Sequence, residues 1–314
     1  MGIFKKLGWY FKQEWRRYLL GVTFLLLVAL VNLIPPKVIG DLVDAMSKSR
    51  LTSSHLALML GLLLFSGISQ YLFRYGWRNA IWGGAAKLER TLRTRLFWHF
   101  MKMDATFYQK HRTGDLMAHA TNDLNAVQNV AGAGILTLFD SFITGGTTII
   151  AMILVVDWRL TLIAILPMPL LAVMARKLGT RLHAAFSESQ AAFSRLNDKT
   201  QESVSGIKVI KTFGQEAEDT ADFNRIVDHT VQINRRVNFI DALFDPTTSL
   251  IMGLTYVITI IYGGWQVVHS QISIGQLVSF VTYVSALVWP MFAIGRLFNI
   301  LERGNASYDR VDDL

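Results

Sequence analysis

Six apolar stretches divide the chain, at about residues 18–34, 56–73, 130–156, 160–174, 239–268 and 274–295. A helix crossing the hydrocarbon core of a bilayer needs roughly 20 mostly apolar residues, and Gly21–Ile34, Ile135–Val156 and Leu250–Val268 supply the clearest cores. The pattern predicts an all-α membrane protein with six spans. Ahead of them, Ile3, Phe4, Leu7, Phe11, Trp15 and Tyr18 recur at helical spacing while Lys5, Lys6, Lys12, Arg16 and Arg17 face away. An apolar face with a basic flank is the pattern of a helix lying in the membrane interface. The plainer reading, that residues 3–18 simply begin span one, stays open.

Span two does not stop at the membrane. From Trp77 to Met103 the pattern stays helical but turns polar, with Lys87, Arg90, Arg93 and Arg95 between Leu88, Leu92, Leu96 and Phe100. Leu116, Met117, Ala120, Leu124 and Val127 then carry a second periodic helix back to span three. The connection between spans four and five repeats the plan, with Leu178, Leu182, Ala185 and Phe186 leading out and Phe223, Ile226, Val227, Val231 and Ile233 leading back. At ~1.5 Å per residue, about 25 extra helical residues project on the order of 35–40 Å. The other connections are minimal: Ser47–His55, Val156–Arg159 and His269–Ser273. Proline lacks the amide that continues a helix. Kinks or stops are therefore predicted at Pro35-Pro36, at Pro167 and Pro169 in span four, at Pro246 in span five and at Pro290 in span six. These are candidate hinges or static kinks. No internal repeat is visible, which counts against the common secondary-transporter plans.

Charge orients this topology. Of 31 Lys and Arg, only Lys37, Lys48, Arg50 and Arg159 fall on one set of alternating loops; the other 27 fall on the opposite set and the two tails. Lys/Arg excess marks the cytoplasmic side, so both termini and both long connections are expected in the cytoplasm. With 52% hydrophobic residues and a mean hydropathy of +0.34, the chain is too apolar for an ordinary soluble domain. The net charge of +8 follows from topology and anionic inner-leaflet lipid, so nucleic acid is not an expected partner. Zero cysteines exclude disulfides and thiolate metal sites. No small-residue cleavage site follows the first apolar stretch, so no cleavable signal peptide is expected.

Each long connection carries a distinctive tip. The first contains Phe107-Tyr108, then Arg112-Thr113-Gly114-Asp115-Leu116 and Thr121-Asn122-Asp123, with Gly114 expected to permit a sharp change of direction. The second contains Glu202, Ser205-Gly206-Ile207-Lys208-Val209-Ile210-Lys211, Phe213 and Glu216; Ile207, Ile210 and Phe213 form an apolar edge. A third segment, Ile272-Ser273-Ile274-Gly275-Gln276-Leu277-Val278-Ser279-Phe280, opens span six. Together, in this order and over residues 1–314, these resemble the transmembrane domain of exporter-type (type I) ABC transporters. Pro35-Pro36, Trp289 to Gly295 and Arg303 to Ser307 most resemble one half of a heterodimeric multidrug exporter of Gram-positive bacteria.

The resemblance implies an elbow helix at 1–17 and a membrane domain at 18–300, with cytoplasmic excursions at about 74–129 and 175–238. Residues 301–314 would begin a linker to a nucleotide-binding domain absent from this sequence. It implies two coupling helices that dock on nucleotide-binding domains: Phe107, Tyr108, Arg112, Thr113, Gly114 and Asp115 in the first, and Ser205, Gly206, Ile207, Lys208, Val209, Ile210 and Phe213 in the second. Further partners implied are a second half-transporter, with a heterodimer favoured over a homodimer, the lipid bilayer, and amphipathic small molecules. The implied function is half of the translocation pathway of an ATP-driven multidrug exporter in a bacterial cell membrane. A lipid flippase and an ion-gradient-driven secondary transporter are the alternatives. No Gly-x-x-x-x-Gly-Lys-[Ser/Thr] loop occurs in the sequence. ATP and Mg²⁺ therefore belong to the expected nucleotide-binding domain, and this segment is not itself an enzyme.

No catalytic set competes with this reading. The seven His are scattered, and His111 and His119, eight apart, lack a third ligand, so no metal site is expected. Charges at membrane depth are costly and face a bundle interior or a water-filled cavity. Asp140 lies in span three, Asp241 and Asp245 share a face entering span five, and Arg296 leaves span six. The candidate substrate cavity is Asp140, Asp245, Met252, Tyr256, Phe280, Tyr283, Trp289 and Phe292. In that reading the carboxylates favour cationic drugs and the soft apolar side chains adapt to many shapes. The alternatives are that the aspartates pair with Arg296 or neighbouring polar groups, and that the aromatics face lipid. Trp158 and Trp265 read as anchors at the outer interface.

Overall fold

The computed structural model describes residues 2–49 and 51–314, without the side chains of residues 294–296. Arg50, counted above with the outer loops, and the side chain of Arg296 therefore lie outside the described residues. Among these residues the structure is helical, with no strand. The elements in order are α1 (Gly2–Lys6), α2 (Gly8–Gln13), α3 (Trp15–Val31), α4 (Ile34–Ser47), α5 (Ser53–Lys102), α6 (Ala105–Lys110), α7 (Thr113–Ala118), α8 (Leu124–Asn129) and α9 (Ile135–Ala151). They continue as α10 (Trp158–Ile165), α11 (Pro169–Ser205), α12 (Ile207–Phe213), α13 (Glu216–Ala242), α14 (Phe244–Val268), α15 (Ile274–Ala286) and α16 (Val288–Asp312). Wide π-type turns at His119–Asp123, Val130–Gly134 and Met152–Val156 join or end the helices around α8 and α9.

Six helical runs are long and apolar enough to cross a bilayer: Trp15–Ser47, Ser53–Lys102, Thr113–Val156, Trp158–Ser205, Glu216–Val268 and Ile274–Asp312. The 50-residue α5 is about 75 Å long, more than twice the ~30 Å hydrocarbon thickness. Its length is what carries the chain far beyond the apolar segment. The prolines explain where the runs bend. Pro35 and Pro36, Pro169, Pro246 and Pro290 all sit in the first turn of α4, α11, α14 and α16, and Pro167 lies in the turn before α11. In a first turn the missing amide has no intrahelical acceptor to lose, so proline restarts a helix more readily than it continues one. The break before α14, at Leu243, separates Asp241 from Asp245, so their four-residue spacing does not run along one unbroken helix.

The chain divides into two compact units, Met1–Leu166 with Thr255–Leu314, and Pro167–Leu254. In the first unit α3 packs along α5, α4 along α15, and α16 along α8 and α9. Its core gathers Ile3, Leu7, Tyr10, Tyr18, Ile81, Leu88, Val127, Val130, Ile135, Leu297 and Leu301. The N-terminal segment is thus not one helix from 3 to 18 but three pieces, and its apolar face differs from the expected one. Ile3, Leu7 and Tyr10 are buried, whereas Trp15 is 54% exposed. The Tyr10 hydroxyl donates to the Gly84 carbonyl at 2.6 Å. Burial, with the Glu14 charge added, pushes this phenol up to about 12. Lys87 Nζ reaches Glu14 at 2.5 Å, and Lys6 pairs with Asp309 on α16. The segment is fixed to protein on one side by packing, a hydrogen bond and charge.

The second unit is a long antiparallel hairpin. α11 packs along α13, with α12 at its tip. Lys199 Nζ bridges to Asp219 at 2.7 Å and to Asp222 at 3.4 Å near that tip, and Ser189 bonds Asn234 at 2.5 Å farther along.

Candidate coupling tips and intramembrane site

The first tip is built by local capping. α5 ends at Met103, and the Asp104 carboxylate accepts the Phe107 amide at 2.9 Å to start α6. An acceptor at this position satisfies a helix N-terminal amide and contributes roughly 1 kcal/mol. Phe107 stacks on His111 with centroids 4.3 Å apart, and the Tyr108 hydroxyl returns to the Phe100 carbonyl at 2.6 Å. The helix is then interrupted at His111 and Arg112, both in extended conformation, before α7 begins at Thr113. The break expected at Gly114 therefore falls earlier, at residues that need no glycine; Gly114 lies inside α7, and a Cβ there would meet nothing within 4 Å. Thr113, Gly114 and Asp115 are all exposed.

The second tip ends α11 at Gly206, and α12 follows at once. Gly214 closes α12 in the left-handed conformation at φ 66°, which an L side chain rarely adopts. Ile207, Val209 and Phe213 are exposed, Phe213 at 73%, and Val204 joins them at the end of α11. Ser205 and Lys208 are exposed and Ile210 partly so. The expected apolar edge named Ile210 and overlooked Val204; periodicity cannot tell a buried apolar residue from one left open.

Beyond the apolar stretch, the motif residue Asp123 is nearly fully buried. Arg310 Nε donates to its Oδ2 at 3.2 Å and Arg310 Nη2 to its Oδ1, while His119 Nδ1 stands 2.7 Å from Oδ2. Burial alone would raise this carboxyl; the hydrogen bonds from Arg310, Ser307 and His119 overcome it and hold it below the usual carboxylate range. Residues 301–312, read as the start of a linker, are the packed end of α16.

Inside the spans the candidate residues separate. Phe280 and Tyr283 are buried at 0% and 1% exposure, and the Tyr283 hydroxyl donates to the Leu33 carbonyl at 2.9 Å. They are packing residues between α15 and the first span and offer no surface to a cavity in this arrangement. Tyr256 shares a 2.7 Å hydrogen bond with Ser285, joining α14 to α15. Phe292 is half-buried. Asp245, exposed, and Met252, buried, belong to the second unit. Asp140 accepts Thr144 Oγ1 at 3.0 Å. The indole of Trp289, 57% exposed, also bonds its carboxylate, and Arg74 stands close enough for its charge to act there. Arg74 was counted only as a loop charge, because a basic residue at the end of an apolar stretch reads as topology.

The third motif has a structural use. Ser273 caps α15 with a reciprocal pair, its hydroxyl taking the Gln276 amide at 3.0 Å and Gln276 returning to the Ser273 amide at 2.8 Å. Asp44 on α4, which sequence reasoning missed, accepts both Ser273 Oγ at 2.5 Å and the Gly275 amide at 2.8 Å. A Cβ on Gly275 would stand 2.0 Å from the Gly40 carbonyl, and one on Gly40 would stand 1.9 Å from Ser279 Oγ. Glycine at both positions lets the two backbones touch. Alongside, Gln276 reaches the Val155 carbonyl at 3.2 Å and Gln266 reaches Asp157 at 3.1 Å.

Six long helical runs, two polar excursions with capped tips and short turns elsewhere define a polytopic membrane domain. The chain belongs to the ABC transporter transmembrane region family, whose model matches residues 18–291. It is 42% identical over 99% of its length to the probable multidrug resistance ABC transporter ATP-binding/permease protein YheI of Bacillus subtilis, and covers 53% of that protein. It is equally 42% identical, with the same coverage of each chain, to the multidrug resistance-like ATP-binding protein MdlA of Escherichia coli. The ATP-dependent lipid A-core flippase of Syntrophus aciditrophicus is 29% identical over 70% of this chain and 36% of its own length. The chain thus spans about half the length of the first two relatives.

Proposed function

We propose that this chain is the membrane half of a bacterial ATP-driven multidrug exporter whose nucleotide-binding domain lies outside the sequence. The observation that carries the reading is the pair of tips. Both end polar helical excursions, and the second leaves Ile207, Val209 and Phe213 exposed. Both tips and both termini lie in the cytoplasm, on the side rich in Lys and Arg. Phe107 to Asp115 and Ser205 to Phe213 dock on nucleotide-binding domains. ATP binding draws those domains together, the tips move with them, and the spans turn from inward-open to outward-open. The domains bring ATP and Mg²⁺; this chain supplies half of the pathway. A second half-transporter supplies the rest, and the resemblance to heterodimeric exporters favours a non-identical one. Amphipathic molecules enter the pathway near Asp140, Trp289 and Phe292.

The test is ATP-dependent dye uptake into inside-out vesicles carrying the full-length protein, with and without its partner. Drug-stimulated ATP hydrolysis coupled to uptake supports the reading. The likeness to a lipid A-core flippase keeps a lipid substrate as the second reading; labelled lipid moved without any response to drugs would favour it.

A further inference from the structure

Span six is two helices joined at Leu287: α15 ends at Ala286 and α16 begins at Val288. The Leu287 amide closes back on the Val284 carbonyl at 3.2 Å, and the Met291 amide reaches the Leu287 carbonyl only at 3.4 Å. Pro290 has no amide to offer the Ala286 carbonyl. The two halves are anchored on different neighbours. α15 is tied to span one, by Ser273 and the Gly275 amide on Asp44, by Ser279 Oγ on the Pro36 carbonyl and by the Tyr283 hydroxyl on the Leu33 carbonyl. α16 is tied at its far end, by Arg310 on Asp123 and Lys6 on Asp309, and a Cβ on Gly304 would stand 2.0 Å from Val130 Cγ2. Between these anchors span three meets the joint. α9 packs along α16, and a Cβ on Gly145 would stand 3.6 Å from Pro290 Cβ. Earlier on α9, Asp140 accepts the Trp289 indole N–H, while Thr144 Oγ1 holds the same carboxylate at 3.0 Å.

We propose that Asp140 is a positioning residue of the transport cycle: through the Trp289 indole it fixes the angle at which the two halves of span six meet. The inference rests on the ATP-driven transport reading and assigns Asp140 to a moving helix, not to the cargo. A helix bends where its hydrogen-bond ladder is interrupted by proline. A bend at Leu287 would absorb a displacement of α16 before it reached α15, and α15 would stay on span one. A side-chain bond across packed helices holds them together inside a bilayer. Here that bond lands on the first turn of α16, beside the proline, where it removes the freedom to bend. The charge of Arg74 acts on the same carboxylate. Asparagine in place of Asp140 keeps an acceptor for the indole and discards the charge, so it separates the two effects.

The experiment uses the full-length transporter labelled with 5-fluorotryptophan, in nanodiscs for fluorine spectra and in inside-out vesicles for transport. The Trp289 resonance is assigned by its loss in Trp289→Phe. Asp140→Ala is expected to move and broaden that resonance, and to lower ethidium moved per ATP hydrolysed at least fivefold while ATP hydrolysis continues. Asp140→Asn should return the resonance toward its wild-type position and recover at least half of the lost ratio. Trp289→Phe removes only the donor; it should match Asp140→Ala in the ratio, and the double variant should fall no further. An unmoved resonance in Asp140→Ala would overturn the inference. So would an Asn variant no better than Ala, two losses that add in the double variant, or a moved resonance with an unchanged ratio. If Asp140→Ala does not fold, Trp289→Phe decides, and an unchanged ratio overturns the inference. Wild-type ATP hydrolysis without ethidium uptake would remove the drug-export reading alone; the same ratios, measured with labelled lipid, then decide the inference.

Discussion

Arg310 clamps Asp123 with two donors, Nε at 3.2 Å from one carboxylate oxygen and Nη2 on the other. The pair ties the end of the last span helix to the returning arm of the first excursion, 187 residues earlier in the chain. Asp123 is 6% exposed, so removal of its partner leaves a carboxylate with half its bonds. Arg310→Ala is expected to destabilise by about 1–3 kcal/mol, read as a lower thermal midpoint in detergent. The depressed carboxyl also fixes the sign with pH. Its contribution is complete above the ordinary carboxylate value of about 4 and disappears as pH falls through the lower folded value. The gap between wild type and Arg310→Ala should therefore close below about pH 4. A gap that widens there would contradict the assignment.

The glycine contact between α4 and α15 leaves no room for a methyl group. Gly40→Ala would place a Cβ 1.9 Å from Ser279 Oγ and 2.4 Å from the Gly275 carbonyl. Overpacking typically costs about 1–3 kcal/mol, and here part of the obstacle is backbone. Gly67→Ala meets nothing within 4 Å and should be neutral or slightly stabilising on helix propensity. Melting of the two variants side by side checks this; equal midpoints would exclude the close approach.

Tyr10 holds the N-terminal segment to α5 through one buried hydrogen bond, 2.6 Å to Gly84. Tyr10→Phe keeps the ring and removes the donor, at an expected cost of roughly 1 kcal/mol. A phenol raised to about 12 by burial keeps its proton longer when folded than unfolded, so its contribution is present below about pH 10 and falls as pH rises toward 12. The expected signature is a difference between wild type and Tyr10→Phe that shrinks in alkali.

At the first tip, Asp104→Ala removes the cap of α6. Loss of such a cap costs about 0.5–2 kcal/mol, but α6 is short and exposed. The expected outcome is faster amide exchange confined to residues 104–111, with the global midpoint little changed.

The architecture was largely legible because it is written locally. Apolar stretches, proline breaks and short polar turns each act within a few residues, so the six runs and their bends could be read from spacing. What could not be read is long-range. Asp44 and Ser273 are 229 residues apart, and neither is marked as the other's partner. Asp140 was recognisable as a charge in the wrong place, yet Arg74, whose charge acts on it, was counted only among the loop charges. Phe280 and Tyr283 were assigned to a cavity because periodicity places aromatics on a helix without saying which face is packed. The helix break near the first tip was expected at Gly114 because glycine favours sharp turns, and it falls instead at the extended residues His111 and Arg112.

We propose that the tips transmit ATP turnover to the spans. Phe213 is the most direct probe, since at 73% exposure its truncation should change stability by less than about 0.5 kcal/mol. Ethidium moved per ATP hydrolysed, measured on the full-length transporter with Phe213→Ala, is the decisive quantity. A coupling tip predicts ATP hydrolysis that continues while uptake per ATP falls at least fivefold. An unchanged ratio, with a Val209→Ala, Phe213→Ala double variant also unchanged, would contradict it.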